Sequence, residues 1–410
     1  MNGALLKKEE NPTYLGVKLD KQLRMTEHIN NIKEKASKRL NMVKRLASTT
    51  WGADKSTLRQ LYLGYVRSTM DNCLPLQAIA SEHITTSLDR VQNQGLRFIC
   101  GGMRTTPTAA CEIDANIEPL NIRRQRALLE AVERYKRMEN NHPNRQTIDR
   151  WKSNQRIQQK SLLEVGKNLE EDYHLPTDRE LITRCPGPPP WINIKQPVIQ
   201  KYLLDKTINK ATLAPILKTC ALETIDSYPT SSIHAYTDGS AFKATAYPGC
   251  GINLKYPDGT TYNYCAPCGN ICSNYEAEII AIKTAVELVH QQFELGESIV
   301  QDMIVFTDSQ STLQALEEQQ NQSSEIQSLA SVINNLMSSF DINVILQWIP
   351  GHTNIPGNDK ADHLAKQGSS KPQIDKPVSI QSIKQILKNN SREDWLNRWA
   401  MGTTGRDMYA

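Results

Sequence analysis

Four carboxylates stand where acids are structurally awkward. Asp238 closes an apolar run in Tyr236-Thr-Asp-Gly-Ser240, and Asp308 closes another in Val305-Phe-Thr-Asp-Ser-Gln310. Glu278 lies inside the otherwise apolar stretch Glu276-Ala-Glu-Ile-Ile-Ala-Ile282, and Asp362 ends Gly357-Asn-Asp-Lys-Ala-Asp362. A charge taken out of water is costly unless something offsets it. Carboxylates gathered together cannot offset one another, because like charges raise each other's pKa. Divalent cations can. Hard oxygen donors at this density suit Mg²⁺ or Mn²⁺, and two such ions about 3.5–4 Å apart can activate water and stabilise the leaving oxygen of a phosphodiester. Singly, each acid is an ordinary turn or cap residue. The set of four is what points to metal-assisted hydrolysis.

These acids need elements to position them. Ile233–Asp238 reads as a short strand, followed by strands over Gly249–Lys255 and Thr260–Tyr264 with Pro257-Asp258-Gly259 as the turn. Tyr275 to His290 reads as a helix with Ile279, Ile282, Val286 and Val289 on one face. Met303–Thr307 is a strand, Ser311 to about Phe340 is helical with a break near Ser323, Asn343–Ile349 is a strand, and Asn358–Gln367 a last helix. A strand meander followed by alternating helices and strands predicts an α/β fold: a mixed five-stranded sheet with helices on both faces.

Before this lies a mostly α-helical region. Ile29, Ile32, Ala36, Leu40, Val43 and Leu46 recur at spacings of three and four with lysines and arginines between them, an amphipathic helix with a basic outer face and Thr26 as candidate N-cap. A second apolar-periodic stretch, Leu88, Val91, Leu96 and Ile99, stops at Gly101-Gly102. A third begins near Asn121. The division predicted is a helical segment over 1–150, an irregular linker over 151–228 containing Cys185-Pro-Gly-Pro-Pro-Pro-Trp191, the α/β domain over 229–370, and a helical tail over 371–410.

The net charge of +4 hides an asymmetry: residues 1–160 carry about +12 and the remainder about −8. A basic half beside an acidic half fits a segment facing nucleic-acid phosphates joined to one that binds metal ions, although solvated helices are often basic without such a duty. No apolar run approaches the roughly 20 residues of a membrane span, and Met1–Glu10 lacks a signal-peptide core. The expected setting is intracellular, cytoplasm and/or nucleus, not secreted, with the nine cysteines as free thiols. Cys265-Ala-Pro-Cys268 with Cys250 and Cys272 offers a zinc half-site, but the third spacing is irregular and no histidine is near; packing of small apolar thiols is the reading preferred.

Residues 230–370 resemble the type 1 ribonuclease H family, found in cells and in retroelement polyproteins. The resemblance is carried by Tyr236-Thr-Asp-Gly-Ser240, Ala277-Glu278, Thr307-Asp-Ser-Gln310, and Trp348-Ile-Pro-Gly-His352 through Gly357-Asn-Asp-Lys-Ala-Asp362. It implies endonucleolytic cleavage of the RNA strand of RNA–DNA hybrids, with two Mg²⁺ ions (Mn²⁺ able to substitute) on Asp238, Glu278, Asp308 and Asp362. It gives His352 a part in proton transfer or product departure, and Gly239, Ser240, Asn274 and Gln310 contacts with the hybrid. Amide side chains can donate to or accept from a 2′-hydroxyl. Some relatives carry a basic protrusion after the third acid, whereas residues 311–341 here hold no Lys or Arg.

Residues 11–139 resemble the end of a non-LTR (LINE-type, jockey-like) retrotransposon reverse transcriptase, through Tyr14-Leu-Gly-Val-Lys-Leu-Asp20, the basic helix, Trp51-Gly52 and Arg104-Thr-Thr-Pro-Thr-Ala109. The tail pieces Trp395-Leu-Asn-Arg-Trp399 and Gly405-Arg406 resemble the segment C-terminal to ribonuclease H in such elements. The aromatic-Ala-Asp-Asp of a polymerase palm does not occur, so no polymerase activity is expected. The segment is expected to grip a nucleic-acid duplex. A catalytically decayed, nucleic-acid-binding remnant is the competing reading, and another enzyme of the same superfold, such as a transposase or junction resolvase, a third.

Overall fold

The computed structural model describes residues 9–46, 52–153, 160–182, 195–205, 212–242, 245–296, 302–318 and 323–404. The proline-rich stretch from Cys185 to Trp191, Trp51, and Gly405-Arg406 lie outside them. The chain divides into two compact units, Met1–Leu175 with Ile386–Ala410, and Pro176–Gln385. Among the described residues no helix is long and apolar enough to cross a membrane.

The first unit is helical after a short hairpin, β1 (Thr13–Tyr14) and β2 (Val17–Lys18). Its helices are α1 (Thr26–Val43), α2 (Lys55–Leu61), α3 (Ser68–Met70), α4 (Leu74–Gln77) and α5 (Glu82–Ile99). Then come α6 (Thr108–Ala115), α7 (Leu120–Lys136), α8 (Pro143–Arg150) and α9 (Leu162–Asp172). The predicted stripe of α1 is buried from Ile29 to Val43 and packs with Tyr62, Met70, Leu88 and Leu96 in one core, whereas its last member, Leu46, lies past the end of α1 and is exposed. Thr26 is not the N-cap. It is the first helical residue, and Asp20 instead accepts hydrogen bonds from the amides of Arg24 (2.9 Å) and Thr26 (3.0 Å). The predicted stop after Ile99 is present as a left-handed cap: Gly101 has φ +63°, and the Gly102 amide donates to the Arg97 carbonyl at 2.7 Å.

The second unit is built on one sheet, with β3 (Val198–Gln200), α10 (Ala214–Asp226), β4 (Ile233–Phe242), β5 (Ala246–Lys255) and β6 (Thr261–Pro267). It continues with α11 (Asn274–Glu294), β7 (Asp302–Thr307), α12 (Gln310–Glu317), α13 (Ser324–Phe340), β8 (Asn343–Trp348) and α14 (Pro356–Ser369). A further helix, α15, covers Ile380–Met401. The strand order is β3-β8-β7-β4-β5-β6, parallel from β3 to β4 and antiparallel from β4 to β6. The sheet thus has six strands rather than five. The extra one, three residues long, adds to the edge at β8; so short a strand carries no periodicity to read.

Two glycines show where the helices lie. Asp238 pairs across the ladder with Gly251, so those two share a face and Gly239 points to the other. A Cβ on Gly239 would lie 2.4 Å from the Glu278 amide of α11, and one on Gly251 would lie 2.1 Å from the Ala361 carbonyl of α14. Helices α11 and α14 therefore cover opposite faces. Between α11 and the sheet the core includes Ile252, Ile282, Val286, Val305, Leu346 and Trp348. Cys250, Cys268 and Cys272 are buried with Ala277 and Ala281 in a smaller cluster, as small apolar side chains.

Candidate active site

The fold brings three of the four carboxylates together. Asp238, Glu278 and Asp308 each offer an oxygen, and these atoms lie within 4.8 Å of one another. Each arrives by a different route. Asp238 lies just past Tyr236, where the parallel pairing of β4 with β7 stops, while the antiparallel pairing with β5 runs on to Phe242. Asp308 immediately follows the last residue of β7, and Glu278 is in the second turn of α11. That helix starts from a capping box: Ser273 Oγ accepts from the Glu276 amide at 3.2 Å, and the Ser273 amide donates to the Glu276 carboxylate at 3.1 Å. The bare Cα of Gly239 lets the strand reach that first turn, bringing Asp238 beside Glu278.

The site is electrostatically frustrated as it stands. Burial, then the charge of Asp308, pushes Asp238 up to about 7, against a partial offset from the Gly239 amide, which donates to its Oδ1 at 2.8 Å. Glu278 is pushed well above the ordinary carboxylate range, by burial first and then by Asp238 and Asp308. Its Oε2 is buried and meets no hydrogen-bond donor among the described residues. An orphaned buried carboxyl oxygen facing two more carboxylates fits a cation, whose charge would favour the ionised forms that burial disfavours. Oxygens within 4.8 Å of one another can share a cation, since opposite oxygens of an octahedral Mg²⁺ site stand roughly 4.2 Å apart.

Asp362 is placed differently. It lies on α14 outside the three-acid cluster, partly exposed, with its Oδ2 accepting from Lys366 Nζ at 2.6 Å. Its charge still contributes to raising Asp238. His352 is exposed in the loop between β8 and α14, with φ +54°, two residues before Asn354 at φ +56°. Asn274 is the exposed first residue of α11. Gln310 opens α12 half-buried, and its amide donates to the Lys201 carbonyl at 3.3 Å, so part of its bonding capacity is already used within the chain. The strand predicted to end at Asp238 runs on to Phe242, so Gly239 and Ser240 are strand residues, in the stretch before the register shift at Phe242.

Two residues that build the site were not singled out from the sequence as doing so. Trp348 is buried, as expected of a strand-core residue, but its Nε1 also donates to the Asp308 carbonyl at 3.3 Å. Gly351 abuts the third acid: a Cβ there would lie 2.1 Å from Asp308 Oδ2. The only sequence signal was its place in Trp348-Ile-Pro-Gly-His352. Gly351→Ala, at a backbone conformation open to alanine, is expected to turn the Asp308 carboxylate aside. The Mg²⁺ concentration for half-maximal cleavage should rise roughly 10- to 100-fold, with stability changed by about 1 kcal/mol or less. An unchanged metal dependence would show that this contact does not orient Asp308.

A parallel β-core extended by an antiparallel meander, with carboxylates converging where the parallel strands end, is the architecture of the ribonuclease H-like α/β fold. The RNase H family model matches residues 230–370, and this stretch is an RNase H domain. Among solved structures, the chain is similar to RNase H1 from the halophilic archaeon Halobacterium salinarum (22% identity, 33% of this chain and 96% of that one, TM-score 0.28). It is also similar to LC11-RNase H1, isolated from compost and solved in complex with RNA/DNA hybrid (18% identity, 34% and 100%, TM-score 0.29). A third likeness is to the prototype foamy virus protease–reverse transcriptase (24% identity, 36% and 22%, TM-score 0.28). No curated protein matches the chain.

Proposed function

We propose that residues 230–370 hydrolyse the RNA strand of RNA–DNA hybrids with two divalent ions, Mg²⁺ or Mn²⁺, held by Asp238, Glu278 and Asp308, with Asp362 completing the set. The observation that carries this reading is the trio of carboxylates with the buried, donorless Glu278 Oε2. When bound, such ions would supply an activated water and charge stabilisation at the leaving oxygen. The protein's own residues do the rest. Asp238, in β4 just past where its pairing with β7 stops, and Asp308, just after the end of β7, set the spacing of the donors. Asp362, free to exchange its exposed Lys366 partner for a cation, joins from α14. His352 is exposed and held in a left-handed conformation that costs a non-glycine residue roughly 1 kcal/mol or more, in keeping with a group that moves a proton or helps the product leave. Asn274 and Gln310 sit at the starts of α11 and α12 as contacts for the hybrid, beside Gly239 and Ser240.

The wider reading is of a retrotransposon-derived, intracellular protein whose helical N-terminal segment lacks a polymerase site and faces nucleic-acid phosphates through its positive charge. It is supported by the motif order across residues 11–139 and by the charge asymmetry. The test is incubation of the full chain with a hybrid labelled on each strand, with Mg²⁺, Mn²⁺ or EDTA, beside Asp308→Asn. Cutting of the RNA strand alone, dependent on metal and reduced at least about 100-fold in the variant, is expected. A folded protein that cuts with neither metal would leave the nucleic-acid-binding remnant as the better account.

A further inference from the structure

The first unit contains a cavity of about 460 Å³, within the roughly 300–1,000 Å³ usual for small-ligand sites. One wall is an array of three arginines held by two acids. Asp71 accepts two hydrogen bonds from Arg123 (2.8 and 2.7 Å) and one from Arg67 (3.3 Å). Glu118 accepts from Arg123 (2.9 Å) and twice from Arg126 (3.0 and 2.6 Å). Such forked pairing fixes guanidinium planes at little further entropic cost.

The other wall comes from α15. Lys388, Arg392 and Trp395 recur at spacings of four and three, so they form one stripe of that helix, and all three line the cavity. Lys388 and Arg392 are exposed and take part in no ion pair among those of the described residues. Trp395 contributes an indole whose Nε1 is buried with no acceptor among the described residues. Five cations line the cavity with two anions, a third acid, Glu130, standing outside the lining at 3.8 Å from Arg126, and the remaining surplus lies beside an aromatic side chain with an unused donor. A phosphate satisfies the first feature and a base the second.

We infer that this cavity binds a nucleoside phosphate, its phosphate between the arginine array and Lys388/Arg392 and its base against Trp395. The source is either a unit of a single-stranded nucleic acid or a free nucleotide. The inference deepens the reading of the basic half as nucleic-acid-facing by giving it a site. It involves none of the carboxylate residues, and with EDTA present binding is measured where cleavage cannot occur.

The test uses the full chain and anisotropy of a dye-labelled single-stranded ten-nucleotide oligomer in EDTA. Lys388→Glu/Arg392→Glu, two exposed substitutions, should weaken binding at least about 10-fold and flatten the salt dependence by about two phosphate contacts. Trp395→Leu should weaken it roughly 5-fold or more, the size of one lost stacking contact, with Trp395→Phe retaining most of the affinity. The exposed pair Lys167→Glu/Lys255→Glu, outside the basic segment and not lining the cavity, is the control and should stay within about 2-fold. Displacement by millimolar AMP identifies a free nucleotide as sufficient, and displacement by unlabelled oligomer alone identifies a strand; both uphold the inference. Equal weakening by the control pair, wild-type binding by the site variants, or displacement by inorganic phosphate or polyglutamate as effective as by AMP would overturn it.

Discussion

Glu278→Gln is expected to stabilise the metal-free protein at pH 8 and to abolish cleavage. In the folded metal-free domain Asp238 is raised to about 7 and Glu278 well above its ordinary value, both led by burial. In the unfolded chain both titrate near 4. Between about pH 4 and 7 the folded state therefore holds more protons than the unfolded one, so stability falls as pH rises through that window. At pH 8 the penalty at Asp238 is present in full, Glu278 adds to it in the same direction, and removing one of the three acids relieves part of it. One pKa unit is about 1.4 kcal/mol, which corresponds to roughly 3–6 °C in the unfolding midpoint of a domain this size. The midpoint of the variant should rise by at least that at pH 8 and match wild type near pH 4. Added Mg²⁺ should raise the wild-type midpoint and leave the variant's almost unmoved. Cleavage should fall by about three orders of magnitude, a loss of about 4 kcal/mol of transition-state stabilisation. Calorimetry across pH with and without Mg²⁺ decides this: a variant no more stable than wild type at pH 8 means that the cluster stores no repulsion for a metal to relieve.

Gly251→Val is expected to have the largest effect on stability. Its Cβ would lie 2.1 Å from the Ala361 carbonyl and 2.3 Å from the Ala365 amide, both backbone atoms of α14. Neither can turn aside as a side chain would, so the helix must lift from the strand. The expected destabilisation is about 3 kcal/mol or more, with cleavage lowered further than the unfolded fraction explains, because Asp362 moves with α14. Gly259→Asn serves as the contrast. That glycine has φ +84° with nothing near its Cβ direction, and asparagine tolerates left-handed backbone, so a change of about 1 kcal/mol or less is expected. Equal stability of the two variants in urea unfolding would refute the account of the α14 contact.

The hairpin turn at Gly259 also illustrates what could be read directly. Asp258 Oδ1 accepts from the Thr260 amide at 2.8 Å, the local side-chain bond that makes Pro-Asp-Gly a turn wherever it occurs. Strand and helix positions in residues 230–370 were legible for the same reason: apolar periods of two and of three to four report on the nearest neighbours in the chain. The Thr26 cap was misplaced because a cap can come from outside the helix; Asp20 lies six residues earlier and nothing in the spacing selects it over Thr26.

The sequence by itself determined which residues are acids, that Asp238 and Asp308 end apolar runs and Glu278 interrupts one, and hence that a metal-dependent phosphodiester chemistry was in question. Only the tertiary structure decided that three of the four share one pocket and that Asp362 stands outside it with Lys366. It alone shows that a Cβ at Gly351 would fall on the Asp308 carboxylate and one at Gly239 on the backbone of α11, so that only glycine leaves room for the acids to meet. The physical reason is one of range. Propensity and periodicity act over a few residues, whereas these contacts join positions roughly 40 residues apart, and their energies depend on close packing and burial that exist only once the sheet and its two facing helices have closed on one another.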